Sequence, residues 1–130
     1  MSDRPILVEI PASSAYLSLA RAATSSVCAR LNYPVDRLED LTLAVSEAIA
    51  LLLQDAAAGA RIRVELTPWS SHDLVGVDID VSTRSSSGRP PRPNSFTWTV
   101  LASLVNNVSS EIEDSTVTLR LRSRQEPVIA

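Results

Sequence analysis

The feature that most constrains the fold is a helical segment whose second half is apolar on nearly every side. It is predicted to run from Asp36 to about Ala58, with Glu39 completing a capping box and Gly59 as its C-terminal stop. Its apolar positions recur at helical spacing and end in the run AIALLL, residues 48–53. A helix of this kind must be covered on more than one side, so the chain must build layers around it.

Several shorter segments supply those layers. A strand is predicted at Ile6 to Ile10, and a first helix from about Ala15 to Leu31 with Ser13 or Ser14 as its cap. Alternating apolar and polar residues predict an antiparallel hairpin with one wet face, formed by Ile62 to Leu66 and Val75 to Val81. A third helix from Phe96 to about Val108, capped by Ser95, and a last strand around Val117 to Leu121 complete the set.

The segments between these elements are polar. Thr83 to Ser95 (TRSSSGRPPRPNS) can bury almost nothing and is predicted to be a mobile loop. Glu111 to Asp114 is predicted to be an acidic turn, and Arg124 to Ala130 a frayed tail. The order strand, helix, helix, strand, strand, helix, strand predicts a two-layer α+β sandwich, a mainly antiparallel sheet covered on one face by about three helices.

Length and composition exclude several classes of function. The 130 residues are 45 % hydrophobic and suffice for a single domain, residues 1–130. The net charge of −3 gives no basic field to hold DNA or RNA directly. With one cysteine, Cys28, and one histidine, His72, the chain can form neither an intramolecular disulfide nor a zinc site from a cysteine cluster or a histidine pair. No signal sequence is recognisable and no apolar run could cross a membrane, which predicts a cytoplasmic protein.

Residues 41–56, LTLAVSEAIALLLQDA, resemble the second helix of the RsbW/UsfX-type anti-sigma factors, divergent members of the GHKL (histidine-kinase-like) ATPase superfamily. The family pattern is similar to L-x-L-A-V-x-E-A-x-x-N-A-x-x-H-A. Residues 18–22 (SLARA) are similar to the family's first helix, and residues 95–104 to the S-F-x-W-x-V-L-x-x-L pattern of the UsfX type. The resemblance extends from Ile6 to Arg122 and implies a GHKL/Bergerat-like sandwich. The second helix matches the family at Leu43, Ala44, Val45, Glu47, Ala48 and Ala56.

The departures from the pattern bear on nucleotide binding. Leu51 stands where the family has a magnesium-binding Asn, and a hydrocarbon cannot ligate a hard cation. Asp55 replaces the family's histidine. Residues 83–95 occupy the place of the ATP lid with a single glycine, Gly88, among prolines. The resemblance therefore implies a degenerate ATP-lid loop, weak or absent ATP and magnesium binding, and Glu47 as a vestige of the catalytic glutamate.

The family's adenine-binding aspartate has no clear counterpart. Asp80 is a candidate by position, but strand parity places Val81 on the pocket side and Asp80 on the wet face. On that face Asp80 and Asp78 are predicted to pair with Arg120, Arg122, Arg61 or Arg63. Trp98 is a candidate to fill the space of a nucleotide. An unusual mode of nucleotide binding is left open, in which Arg84, Arg89 or Arg92 replaces the contacts that the ATP lid would make with the nucleotide.

The resemblance implies an anti-sigma factor that sequesters an alternative sigma factor and is relieved by an anti-anti-sigma partner of the STAS type. It implies a homodimer formed through the first strand and first helix. Partner-binding candidates are Leu17, Arg21 and Arg30 on that helix. For Arg21, a plain solvated helix arginine is the competing interpretation.

Two other functions are compatible with the sequence. An active ATP-dependent protein-serine kinase would phosphorylate the anti-anti-sigma factor, with Glu47 activating the seryl hydroxyl. A degenerate GHKL scaffold could instead bind an unrelated protein. Nucleotide binding separates the first alternative from a pure binding switch, because MgATP would raise the thermal stability of a working kinase.

Overall fold

The structure is a computed structural model that describes residues 2–92 and 95–128. The described residues form one antiparallel five-stranded sheet with three helices on one of its faces, in the strand order β1-β2-β3-β5-β4. This architecture is the predicted two-layer α+β sandwich. The elements are β1 (Ile6–Pro11), α1 (Leu17–Arg30), α2 (Val35–Leu53), β2 (Arg61–Ser70), β3 (Val75–Arg84), α3 (Phe96–Leu104), β4 (Asn107–Glu113) and β5 (Thr116–Gln125).

Helix α2 lies at the centre of the helical layer. It contacts α1 on one side, α3 on the other, and β3 and β5 beneath it. The apolar run at its C-terminal half is therefore covered from several directions, as its sequence requires. Its fully or almost fully buried side chains are Leu41, Ala44, Val45, Ala48, Ile49 and Leu52.

The inner face of the sheet carries the alternating apolar residues of the predicted hairpin. In β2 and β3 the register pairs Val64 with Val81 and Leu66 with Ile79, and all four side chains are 0 % exposed. The parity of these strands was thus correctly predicted. Cys28, also 0 % exposed, packs into the same core, and burial raises the pKa of its thiol to about 12.

The ends of α2 differ from the prediction. The helix begins at Val35 after Pro34 and has no side-chain cap, so the capping box of Asp36 and Glu39 is wrong. It ends at Leu53 rather than near Ala58. The physical reason is an isolated β-bridge between Ala56 and Ser85, which replaces the helical hydrogen bonds after residue 55.

Strand β4 was missed. The sequence predicts the end of the third helix near Val108 and an acidic turn at Glu111 to Asp114, but residues 107–113 form an edge strand paired with β5. Their sequence, NVSSEIE, carries only two apolar residues because a strand at the rim of a sheet buries little. Helix α3 therefore ends at Leu104, and the turn is confined to Asp114 and Ser115, both of positive φ.

The C-terminal segment is more ordered than predicted. Arg124 and Gln125 belong to β5, and the Val128 N–H donates to the Asn32 carbonyl oxygen at 2.7 Å. Residues 129 and 130 of the predicted tail lie outside the described residues. At the other end of α1, a short 3₁₀ turn at Ser14–Tyr16 precedes the helix, and the Ser13 hydroxyl accepts from the Ala15 N–H at 3.2 Å.

Gly76 in β3 permits the packing of Arg124 on the outer face of the sheet. The Arg124 guanidinium lies 4.1 Å from the centroid of the Trp69 ring, and a Cβ at position 76 would lie 2.4 Å from the Ser123 carbonyl oxygen. Because that oxygen belongs to the backbone of a central strand, it cannot move aside cheaply. Gly76 is thus a steric requirement of this sheet.

We expect Gly76→Ala to destabilise the protein by about 1–3 kcal/mol, the usual range for overpacking, as measured by urea unfolding. Ser82→Ala on the same strand is the matched control and should stay within about 0.5 kcal/mol of the wild type. Equal stability of the two variants would contradict the steric interpretation.

Candidate functional site

Two separate concavities lie along α2. The first is a groove between α1 and α2, which brings together Leu17 and Arg21 of α1 with Glu47 of α2. Its wall mixes apolar and charged side chains. The remaining lining residues are Ser25, Leu38, Glu39, Thr42, Leu43, Ser46 and Ala50.

One hydrogen bond joins the two helices at this groove, and a second lies within α2. The Ser25 and Thr42 hydroxyls lie 3.3 Å apart, and Thr42 also donates to the Leu38 carbonyl oxygen at 2.8 Å. The Ser46 Oγ is buried and has no hydrogen-bond partner within the described residues. An unsatisfied buried hydroxyl is uncommon, and here it belongs to a residue that lines the groove.

The second concavity is a cavity of about 550 Å³ at the C-terminal end of α2. Its walls come from α2, from Thr83 of β3, from Val117 of β5, and from the loop after β3. Apolar atoms form most of its surface. The residues that line it are Leu51, Leu52, Gln54, Asp55, Thr83, Ser85, Ser87, Arg89, Pro90, Pro91, Arg92, Ser95 and Val117.

Asp55 ties the loop after β3 to the end of α2. Its carboxylate accepts hydrogen bonds from the hydroxyls of Ser85 (2.6 Å), Ser86 (2.8 Å) and Ser87. The Ser86 N–H adds a bond to the Asp55 carbonyl oxygen at 2.8 Å. These donors favour the charged form, so the hydroxyls of Ser85, Ser87 and Ser86 lower the pKa of Asp55 to about 2.

The start of the loop is therefore more ordered and more buried than its sequence suggests. Thr83 and Arg84 belong to β3, and both Thr83 and Ser85 are buried. The prediction of a segment that buries almost nothing is wrong for these residues, because their hydroxyls have partners inside the protein. Residues 93 and 94 of the predicted loop lie outside the described residues.

The outer face of the sheet holds the carboxylates of β3, as parity predicts. Asp80 lies 3.9 Å from Arg120, which also contacts Glu111 at 2.9 Å. Asp78 contacts Arg122 at 3.5 Å and Arg124 at 2.9 Å. The predicted cross-strand pairs with Arg120 and Arg122 are confirmed. Arg61 instead pairs with Glu9 of β1, at 3.0 Å.

The sequence-predicted site residues thus fall in different places. Leu17, Arg21 and Glu47 share the α1–α2 groove, whereas Leu51 lines the cavity. Val81 is on the inner face of the sheet but is fully buried in the core, and Asp80 is on the opposite face. Arg30, at the end of α1, is not among the groove residues.

Trp98 does not fill the cavity. It packs against the hydrophobic core as a partly buried residue and is not among the residues that line the cavity. That Trp98 takes the space of a nucleotide stays a prediction. The Ser95 hydroxyl caps the start of α3 by accepting from the Trp98 N–H at 3.2 Å.

Two features of these sites were not predicted. The hydrogen bonds of the Asp55 cluster connect residues that are separated by 30 to 32 positions in the sequence. The only sequence signal for the hydroxyl donors is the run SSS in a polar loop. The buried Ser46 Oγ interrupts the apolar stretch of α2, which is a weak signal at best. Neither feature follows from periodicity.

The residues around the cavity do not fit a magnesium nucleotide. Leu51 offers no oxygen to a cation, and the Asp55 carboxylate is engaged by serine hydroxyls. Within residues 2–92 and 95–128, no group of three or more His, Cys, Asp or Glu side chains could hold a metal ion.

Comparisons with known proteins agree on one family. No family model matches the chain. Serine-protein kinase RsbW of Listeria monocytogenes (strain EGD-e) is 37 % identical over 98 residues, which are 69 % of this chain and 62 % of that protein. Serine-protein kinase RsbW of Bacillus subtilis is 39 % identical over 51 residues, 39 % of this chain and 32 % of that protein. The chain thus spans about 62 % of the length of the Listeria relatives it matches.

Solved structures share the fold. The RsbU and RsbW domains of Rv1364c from Mycobacterium tuberculosis match with a TM-score of 0.71 at 15 % identity, covering 98 % of this chain and 35 % of that one. The histidine kinase domain of the blue-light activated kinase EL346 from Erythrobacter litoralis matches with a TM-score of 0.55 at 18 % identity, covering 87 % and 60 %. The fold is that of the GHKL domains. In sequence, the chain is similar to the serine-protein kinases RsbW.

Asp55→Asn replaces the charged acceptor of the serine cluster by an amide, and we expect a lower Tm at pH 7. Because folding lowers the pKa of Asp55 from 3.8 to about 2, its stabilising effect is complete above pH 3.8 and is lost as the pH falls towards 2. The Tm difference between wild type and variant should therefore shrink over that interval. Asp73→Asn, in an exposed turn, is the control and should show no such trend; a pH-independent difference for Asp55→Asn would contradict the assignment.

Proposed function

We propose that this protein is an anti-sigma factor of the partner-switching kind, acting in the cytoplasm. It sequesters an alternative sigma factor in the α1–α2 groove and releases it to an anti-anti-sigma factor with a STAS domain. Its partners are proteins, with no direct contact to nucleic acid or membrane. No helix within the described ranges is long and apolar enough to span a membrane.

The observation that carries the proposal is the composition of the groove. Arg21 has no ion-pair partner among the described residues, and it lies in one groove with Leu17 and Leu43. Leu43 is 46 % exposed, so apolar surface is available beside the cation. Arginine next to a desolvatable apolar patch is typical of interface hot spots. A partner helix would match this surface with an acidic residue facing Arg21 and no further negative charge towards Glu39 and Glu47.

Release of the sigma factor needs no chemistry in this proposal. A STAS partner that covers part of the same groove excludes the sigma factor by overlap, provided that the two affinities are comparable. The groove is thus suited to alternative occupants.

We further propose a homodimer of the UsfX-like type formed through β1 and α1. Strand β1 pairs only with β2 among the described strands, which leaves its other edge available. Ile6 and Leu7 on this strand are 40 % and 48 % exposed, and Leu19 of α1 is 54 % exposed. An apolar edge strand is a typical site of chain association.

The second candidate is an active protein-serine kinase, in line with the name of the relatives, serine-protein kinase RsbW. Its support is the position of Glu47, which lines the groove proposed for protein partners. There its carboxylate could accept the proton of a partner's serine hydroxyl. Two residues argue against it. Leu51 has no oxygen to bind magnesium, and the Asp55 carboxylate is already hydrogen-bonded to serine hydroxyls. We therefore favour a binding switch without catalysis, with Glu47 as a vestige.

Arg21→Glu should weaken capture of the sigma factor because it places a negative charge opposite the acidic partner surface. We expect at least a roughly 30-fold loss of affinity, the size of a hot-spot substitution of about 2 kcal/mol, in titrations against the host's purified alternative sigma factors. The control is Arg63→Glu, an exposed arginine of β2 on the other layer. Equal binding by both variants would exclude the groove as the sigma site.

MgATP and MgADP at millimolar concentration should leave the Tm unchanged, since a ligand that binds only the folded state must raise it. Leu51→Asn alone should not restore a shift, because the loop contacts are missing as well. Differential scanning fluorimetry and isothermal titration measure both. A saturable Tm rise with MgATP in the wild type would support the kinase over the binding switch.

A further inference from the structure

The cavity at the C-terminal end of α2 is built for a ligand other than a magnesium nucleotide. Its volume of about 550 Å³ lies within the roughly 300–1,000 Å³ typical of small-molecule sites. It is distinct from the α1–α2 groove, since no residue lines both. Its chemistry can therefore be considered independently of partner binding.

The hydrocarbon part of the cavity comes from two rigid elements and the loop. Leu51 and Leu52 of α2 and Val117 of β5 supply side chains that pack on or within the core, and Pro90 and Pro91 cover them from the loop. Surfaces of this kind favour a flat or compact apolar group over a hydrated one. A polyphosphate would gain little binding free energy from contact with these apolar side chains.

Two guanidinium groups supply positive charge to the cavity. Arg89 and Arg92 both line it, and neither makes an ion pair or a side-chain hydrogen bond with any residue in the ranges 2–92 and 95–128. Arg84, by contrast, is engaged with the Ala58 carbonyl oxygen at 3.2 Å. Planar guanidiniums bind carboxylates and sulfonates through paired N–H donors. The free arginines thus indicate an anionic group on the ligand.

The negative charge of Asp55 favours a ligand whose anionic group carries a single charge. Its carboxylate is the acidic side chain of the cavity and stays ionised, with its oxygens turned to the serine hydroxyls. Two arginines and one aspartate leave a net charge of +1. A monoanion balances this charge, whereas a triphosphate without a metal ion would be repelled by Asp55 and left under-neutralised.

We propose that this cavity binds a small organic monoanion with an apolar body, such as an aryl carboxylate or aryl sulfonate. The anion lies against Arg89 and Arg92, and the apolar body lies on Leu51 and Val117. The three serine hydroxyls on Asp55 hold the loop in the position that completes the site. The inference goes beyond the proposed function, because a ligand here touches neither Arg21 nor Glu47.

The test uses the aryl sulfonate dye 8-anilinonaphthalene-1-sulfonate with the full chain. We expect saturable fluorescence enhancement with one dye per chain, and a loss of affinity of about tenfold or more in the Arg89→Gln, Arg92→Gln double variant, as for a lost charge-assisted hydrogen bond. Leu51→Gln should also weaken binding. Arg63→Gln is the matched arginine control, and Leu43→Gln is the control for dye in the α1–α2 groove.

Each outcome is decisive. Sodium sulfate at matched ionic strength should not displace the dye, whereas 2-naphthoate should, because the site requires an apolar body. Unchanged affinity in the double variant, loss only in Leu43→Gln, or enhancement that follows loss of helical circular dichroism would overturn the proposal. Displacement by MgATP but not by 2-naphthoate would assign the cavity to nucleotide instead. Sigma-factor titrations with the same variants report on the proposed function separately.

Discussion

The burial of α2 is the constraint on which the rest of the structure depends. Its C-terminal half cannot be left in contact with water, so α1, α3 and the inner face of the sheet all pack against it. Residues such as Ala44 and Ala48 let these neighbours approach closely, while Ile49 and Leu52 fill the space towards the sheet. The two concavities are consequences of this arrangement, since both lie where the cover over α2 ends. One opens between α1 and α2, and the other opens beneath the loop after β3.

Those parts of the fold that follow from periodicity could be predicted from the sequence. The alternation in β2 and β3 determines which side chains face the core, and the same parity places Asp80 on the outer face against Arg120. The sandwich and the family followed from the order of the elements together with the pattern around Glu47. The grouping of Leu17 with Arg21 needed only the helical spacing of α1, because residues four apart share a face.

The remaining features depend on contacts that are distant in sequence. Strand β4 exists because β5 offers it hydrogen bonds, and its own residues carry little apolar signal. The early end of α2 depends on the bridge from Ala56 to Ser85 and on the serine donors that reach Asp55. A polar loop with three consecutive serines is most simply interpreted as solvated. Only the fold shows that a carboxylate lies within hydrogen-bond distance of all three hydroxyls.

Glu47 and Leu51 are one helical turn apart, yet they line different concavities. The groove depends on the packing of α1 against α2 and on the Ser25–Thr42 contact, neither of which involves the loop after β3. The cavity depends on Asp55, the serines and β5. A substitution such as leucine at position 51 can therefore remove metal-ligand chemistry from the cavity without changing any residue of the groove. This separation is compatible with the two proposals, in which the groove binds protein partners and the cavity takes a ligand other than a magnesium nucleotide.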